Sequence, residues 1–197
     1  MKKINIIFLL IFVSSYSQVL PLQNYGDNLI DSPNIYWEDV DGILDPFVGD
    51  WIYSQNGIVF KIKFIKSENK YSDNCYQDLL VGEYYYALNN QILINKLDDV
   101  NIELENQFHH NISCNFIISD PNYWKKCLDC MPGEYRIMGG FTDVVSNYVG
   151  TCILKKTTLN NQEAIKIYIS YLGNAVNKTI FSIPPTISEG WYTFIKQ

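Results

Sequence analysis

Cys127 and Cys130, three positions apart in the stretch CLDC, are the residues of this sequence whose spacing has the clearest chemical meaning. Such a pair can form a local disulfide, supply half of a zinc site or act as a redox couple. A zinc site needs four ligands, and of the adjacent His109 and His110 at most one would serve, because neighbours in a strand point to opposite faces. A redox pair is typical of a thioredoxin-like βαβ unit, which the sequence lacks. The spacing therefore favours a disulfide, and no metal site is predicted.

The other cysteines are interpreted as structural. Five cysteines are present, so at least one thiol is unpaired even where disulfides can form. Cys114 and Cys152 lie on apolar faces of predicted strands, together with Phe116 and Leu154 respectively. They are either buried free thiols or a bridge between strands, and neither alternative is catalytic.

The motifs of common enzyme classes are missing from the sequence. It contains no Gly-x-Ser-x-Gly elbow, no Walker or dinucleotide glycine pattern and no His-Glu-x-x-His helix. An extracellular hydrolase, the less favoured alternative, would depend on His109 or His110, which we interpret as an exposed loop pair. The acidic stretch 37–42 fails as a calcium loop, because Trp37 and Val48 would occupy its first and twelfth ligand positions. We therefore predict a protein that is not an enzyme and that has no cofactor.

The composition indicates one globular domain of acidic character. Of 197 residues, 47% are hydrophobic, which is well outside the range of disordered chains. The formal net charge is -6 and Arg136 is the single arginine, whereas nucleic-acid binding depends on clustered lysines and arginines. We therefore predict no nucleic-acid partner. An acidic surface also favours cationic or neutral partners over anionic membranes.

The first 17 residues have the pattern of a secretory signal peptide. Lys2 and Lys3 precede the apolar run 4–13, and a small-x-small site ends at Ser17. The apolar run is about half as long as a membrane-spanning helix requires. We therefore predict cleavage after Ser17, a secreted or periplasmic location, and no integral membrane segment once the signal is removed.

Two regions follow the signal in the predicted organisation. Residues 18–45 form an irregular lead-in whose order would come from docking on the rest, and residues 46–197 form a strand-rich domain. Apolar side chains alternate at a period of two in 58–65, as a strand with one buried face requires. Asn-Gly or Asn-Asn pairs that suit tight hairpin turns separate several predicted strands. The predicted strands are 47–53, 58–65, 79–88, 91–97, 112–119, 148–156, 164–172 and 191–196.

This pattern predicts an all-β fold, namely a single antiparallel barrel or half-barrel of about 8–10 strands. Gly49 and Trp51 open the strand-rich region. A large rigid side chain can plug one end of a barrel, and a nearby glycine lets the backbone approach closely. The Gly-x-Trp motif resembles that of the lipocalin-like, or calycin, group. That group usually places an arginine across the tryptophan from the last strand, whereas only Lys196 is available here; a core tryptophan of another β-sandwich is the alternative.

A longer resemblance covers most of the chain after the signal. The runs FVGDWIYSQNGIVFKIKF, VGEYYYALNN and FSIPPTISEGWYTFIK, and with them CLDCMPGEYRI, resemble domain-of-unknown-function family 6705, a group of secreted bacterial proteins. That family has no assigned activity. The resemblance therefore implies export and β-architecture only.

Consecutive tyrosines supply the candidate binding residues. In a strand, Tyr84 and Tyr86 share one face, and a barrel interior lined with tyrosine would suit an apolar or sugar-like ligand. The first hypothesis is a secreted lipocalin-like protein that binds a small apolar or glycan ligand through these side chains. The alternative is a surface interaction or inhibitor module with a filled barrel and no small-molecule ligand. The partner, a small molecule or a protein, is unknown in both cases.

Overall fold

A computed structural model describes residues 18–25, 33–72, 74–123, 127, 129–171 and 184–197. The predicted signal peptide, residues 1–17, lies outside the described residues.

Eleven strands make up the described structure. They are β1 Gln18–Pro21, β2 Ile35–Glu38, β3 Gly49–Gln55, β4 Ile58–Ser72, β5 Cys75–Leu88, β6 Gln91–Asn95, β7 Ile112–Ile118, β8 Arg136–Asp143, β9 Tyr148–Leu159, β10 Gln162–Tyr171 and β11 Gly190–Lys196. The helices in the described ranges are short 3₁₀ turns: Leu22–Asn24, Asp45–Phe47, Leu97–Asn101 and Gln107–His109.

Eight of these strands close into an antiparallel barrel. The order is β3-β4-β5-β7-β8-β9-β10-β11, each strand antiparallel to the next, and β11 pairs with β3 to complete the ring. The all-β prediction and its single antiparallel barrel are confirmed. Since β3 and β11 are paired, the closed form is the one observed rather than a half-barrel.

Asparagine turns shape three of the hairpins. Asn56 and Gly57 have φ of 52° and 78°, and the Asn89-Asn90 and Asn160-Asn161 pairs are likewise at positive φ. A two-residue hairpin turn of this type requires positive φ at both positions, which asparagine and glycine tolerate. The three hairpins predicted from these pairs are confirmed.

The second edge of β5 has three partners in succession. It pairs with β2 at its start, with β7 in its middle and with β6 at its end. The lead-in 18–45 therefore differs from the irregular segment we predicted, because it contributes the parallel strands β1 and β2. Docking supplies their order: Trp37 of β2 is buried, and the Tyr36 hydroxyl donates to Asp78 Oδ1 at 2.6 Å.

The barrel interior is apolar and rich in aromatic rings. Phe60, Ile62 and Phe64 of β4 point inward and are buried, as the alternation predicts. The ring of Phe60 makes edge contacts with four other interior rings at centroid distances between 5.1 and 5.7 Å. Those four rings belong to Tyr84, Tyr86, Tyr192 and Phe194.

Gly139 of β8 lets two cysteines meet inside the barrel. It is paired with Cys114 on one side and with Cys152 on the other, and the two sulfur atoms lie 3.6 Å apart. Both are buried free thiols, which decides between the two alternatives given by the sequence. A Cβ on Gly139 would lie 2.0 Å from the Ser113 carbonyl oxygen and 2.6 Å from Cys114 Sγ. The approach of β7 to β8 therefore requires glycine here.

We predict that Gly139→Ala lowers the free energy of unfolding by about 3 kcal/mol, because the added methyl group overlaps backbone atoms that cannot move aside. Gly140→Ala is the matched control. Its Cβ would meet nothing closer than Ser113 Oγ at 3.6 Å, so the change should stay within about 0.5 kcal/mol. Urea unfolding of the two variants measures the difference, and equal stabilities would contradict the packing described for β8.

Candidate functional site

Tyr84 and Tyr86, the predicted binding residues, lie together inside the barrel. Tyr84 is 0% exposed; its hydroxyl donates to the Thr142 carbonyl at 2.9 Å and accepts from Val144 N–H at 3.2 Å. Tyr86 is 2% exposed and packs on Phe60. Because the chain itself covers both rings and bonds the Tyr84 hydroxyl, their observed contacts are those of core residues.

Segment 184–189 covers the end of the interior near Tyr171 and Tyr192. The Tyr171 hydroxyl donates to the Ile187 carbonyl at 2.8 Å, and the Tyr192 hydroxyl donates to the Ser188 carbonyl at 2.7 Å. The Asp143 carboxylate, which is buried, accepts hydrogen bonds from the backbone N–H groups of both this segment and the β8–β9 turn. One carboxylate thus fixes two loops over this end of the barrel.

The opposite end is closed by Trp51. Its ring is 0% exposed, and its Nε1–H donates to the Phe47 carbonyl at 2.7 Å. The ammonium groups of Lys156 and Lys196 lie 4.9 and 5.4 Å from the ring centroid, within cation–π range. Gly49 has φ of 127°, and a Cβ there would approach Lys196 Cε to 3.4 Å. Two lysines, one from β9 and one from β11, therefore lie over this ring.

Glu163 ties the two lysines together. Its carboxylate pairs with Lys156 and, at 2.9 Å, with Lys196. The hydrogen bond from Lys156, followed by that from Lys196, lowers the pKa of Glu163 below its ordinary value. Lys156 also donates to the Pro46 carbonyl at 2.9 Å, so its ammonium group is held by three partners: an indole face, a carboxylate and a backbone oxygen.

Two grooves open at this rim, one on each side of Lys156. The first, which we name the apolar groove, has a volume of about 390 Å³. The second, the polar groove, has a volume of about 610 Å³. The apolar groove is lined by Asp41, Gly42, Ile43, Pro46, Phe47, Glu134, Tyr135 and Lys156. The polar groove is lined by Asp129, Met131, Glu134, Lys155, Lys156, Thr157, Thr158 and Glu163. Glu134 and Lys156 belong to both.

The disulfide loop forms a wall of the polar groove. Cys127 and Cys130 are bonded, with their Cα atoms 5.4 Å apart. Between them, the Asp129 carboxylate binds Lys166 at 2.8 Å and Lys155 at 3.3 Å on the outer face of the barrel. The hydrogen bond from Lys166 is the largest cause that lowers the pKa of Asp129. The loop is therefore held by the disulfide and by the ion pairs of Asp129.

The histidines lie away from the rim, and one of them differs from our prediction of an exposed pair. His109 is exposed, whereas His110 is buried. Both ring nitrogens of His110 have partners: Nδ1 lies 3.1 Å from Glu83 Oε1, and Nε2 lies 3.2 Å from Gln107 Oε1. No group of three or more His, Cys, Asp and Glu side chains in the described part of the chain could hold a metal ion.

Sequence reasoning missed the rim residues Asp41, Glu134, Tyr135 and Lys156. One signal was available for Lys156, because it follows Cys152 and Leu154 at a period of two and therefore shares their inward face. The others meet only through the three-dimensional approach of segments 41–47 and 134–135.

A family model described as a family of unknown function, DUF6705, matches residues 1–197. The chain belongs to the DUF6705 family. No curated protein and no solved structure gives a significant match. The resemblance of this DUF6705 protein to lipocalin-like proteins therefore stays a prediction. Within its described residues, no helix has both the length and the apolar character needed to span a bilayer.

We predict that the interior tyrosines of the DUF6705 protein ionise only when it unfolds. Burial is the main cause that raises the pKa of Tyr84 and Tyr171, and it raises the pKa of Tyr192 to about 12. A tyrosine whose pKa is higher in the folded than in the unfolded protein stabilises the fold fully at pH values below the unfolded pKa of about 10. This contribution is lost as the pH rises through the folded pKa.

An alkaline titration of phenolate absorbance, recorded with near-UV circular dichroism, measures this. The expected result is a late group of phenolates that appears together with loss of the folded signal. The control is the same titration in denaturant, where all the tyrosines should titrate near a pH of about 10. A single smooth titration of the folded protein near that pH would contradict the buried interior.

We further predict that Trp51→Phe lowers the free energy of unfolding by about 2–3 kcal/mol, because the smaller ring leaves a cavity and the Phe47 carbonyl loses its donor. Trp191→Phe is the matched control: Trp191 is 44% exposed, so the cost should be below about 0.5 kcal/mol. Chemical denaturation of both variants tests the comparison. Equal losses would show that Trp51 does not close the barrel end.

Proposed function

We propose that this DUF6705 protein is an exported, non-enzymatic binding protein that holds a small apolar ligand in the apolar groove at the barrel rim. The observation that carries the proposal is a groove of about 390 Å³ with apolar walls and few polar groups. Small-molecule sites typically have volumes of about 300–1,000 Å³ and this mixture of lining groups.

The groove has one fixed wall and one accessible wall. Ile43 and Phe47 are buried, and the Phe47 backbone is held by Trp51. Tyr135 lines the same groove and is 39% exposed, so part of it is accessible to an incoming molecule. A preformed wall of this kind keeps the conformational cost of binding low.

The packing of Tyr84 and Tyr86 favours a rim site over the interior site that these tyrosines first indicated. Tyr84 and Tyr86 belong to the ring cluster around Phe60, so a ligand among them would have to displace packed side chains. The hypothesis of a small apolar ligand is therefore retained, and its location moves from these tyrosines to the rim.

Export is part of the proposal. The Cys127–Cys130 disulfide supports it, because such a bond is compatible with an oxidising compartment. A secreted or periplasmic location fits this bond.

A surface interaction module is the second candidate. On the outer face of the barrel, Trp191 of β11 is 44% exposed and lies 5.1 Å from the ring of its cross-strand neighbour Tyr168. Exposed aromatic pairs of this kind are common in protein and glycan contacts. This candidate needs no ligand in the apolar groove.

Binding of n-octanol, followed by NMR chemical shifts, tests the proposed site. We expect shifts to concentrate at segments 41–47 and 134–135, and Tyr135→Ala to weaken binding about tenfold, because a loss of roughly 1.4 kcal/mol of apolar contact has this effect. Tyr71→Ala is the control: Tyr71 is 49% exposed, contacts Tyr76 and does not line the groove. No shifts at the groove would contradict the proposal, and shifts around Trp191 with a glycan or protein would favour the second candidate.

A further inference from the structure

The charges of the apolar groove are unequal. Its lining holds two carboxylates, Asp41 and Glu134, and one ammonium group, Lys156. The sum of these formal charges is negative, as is the net charge of -6 for the whole chain. A polar group of a ligand that enters the groove therefore meets a negative field before any specific contact forms.

Lys156 contributes little free positive charge to the groove. Its ammonium group binds Glu163, donates to the Pro46 carbonyl and lies over the ring of Trp51. An anionic ligand would have to compete with Glu163 for this group, and the displaced carboxylate would then stay beside it. The one cation in the lining is thus already satisfied by the protein.

The carboxylates are less completely satisfied. Asp41 is exposed, and one of its oxygens, Oδ2, accepts a hydrogen bond from Gln23 Nε2. Glu134 accepts from Met131 N–H at 2.8 Å, and its other oxygen lies 3.5 Å from Lys155 Nζ, a long ion pair. Lys155 in turn is shared with the Asp129 carboxylate at 3.3 Å. Both groove carboxylates therefore keep acceptor capacity for a cation.

Negative charge also exceeds positive charge in the turn that carries Asp41. Asp39 and Asp45 lie on either side of Asp41 in the sequence, and both carboxylates pair with the ammonium group of Lys66, at 3.0 and 2.9 Å. One lysine thus serves two carboxylates on this side of the groove. Tyr135, which lines the groove and is 39% exposed, is also an aromatic residue, and an aromatic ring attracts a cation more than a neutral group.

From these contacts we propose that the apolar groove selects ligands that carry a positive charge beside an apolar body, such as primary or quaternary amines with an alkyl or aryl group. The inference rests on the proposed binding function and names its ligand class. The apolar body would lie against Ile43, Pro46 and Phe47, and the cationic group would lie between Asp41 and Glu134.

Three probes with one alkyl chain separate charge from apolar contact: n-octylammonium, n-octanol and octanoate. We expect octylammonium to bind the full-length mature protein about tenfold more tightly than octanol, and octanoate to bind more weakly than octanol. The preference for octylammonium should decrease as salt is raised, because partly exposed charges are screened. Titration calorimetry or NMR gives the three affinities.

The double variant Asp41→Asn, Glu134→Gln tests the assigned partners. We expect it to bind octylammonium and octanol with affinities within about twofold of each other, while its affinity for octanol is unchanged. Both replacements keep an oxygen acceptor, so the hydrogen bonds from Gln23 and Met131 can persist. Glu103→Gln is the control, because this exposed carboxylate pairs with Lys70 outside the apolar groove.

The possible outcomes separate the charge inference, the assignment to Asp41 and Glu134, and the proposed function. Equal affinities for octylammonium and octanol in the unmodified protein would overturn the charge inference and leave the proposed function standing. A preference for octylammonium that survives in the double variant would overturn the assignment to Asp41 and Glu134. If none of the three probes shifts signals at the groove, both the ligand class and the proposed function are wrong.

Discussion

The seam between the first and last barrel strands is the constraint on which the rest of the structure depends. Strands β3 and β11 meet through two residue pairs, Ile52 with Ile195 and Trp51 with Lys196, and through a hydrogen bond from Gln197 N–H to the Asp50 carbonyl. The indole of Trp51 closes the barrel end and lies at this seam, so the ring is buried only when β3 and β11 are paired. Its hydrogen bond to Phe47 also sets the backbone that forms the fixed wall of the apolar groove.

The barrel is closed by eight strands, and side chains occupy the described part of its interior. Eight strands give a space that large residues fill, and here aromatic rings around Phe60 do so. The binding site proposed here lies at the rim, where loops bring together groups from distant parts of the chain. The disulfide loop and the turn at Asp41 are the two segments that build the rim on either side of Lys156.

Much of the fold could be predicted from the sequence because its signals are local. Alternation and asparagine turns predicted most barrel strands, whereas β8 was missed because Gly139 and Gly140 interrupt its apolar pattern. The parallel docking of β2 on β5 depends on a long-range contact to Asp78, which no local pattern reveals. The same limit applies to the candidate site: Tyr84 could be assigned to an inward face, but whether the interior is filled depends on rings from other strands.

Hydrogen exchange at the seam tests the closed barrel most directly. We predict that the backbone amides that join β3 to β11 are protected relative to unpaired amides of the folded protein, because they are hydrogen-bonded across the seam; they exchange faster than those between β4 and β5, since the end of the chain frays locally. Exchange at the β3–β11 pairs as fast as in the unfolded chain, with β4 and β5 still protected, would show an open half-barrel. Such a result would contradict both the burial of Trp51 and the rim that depends on it.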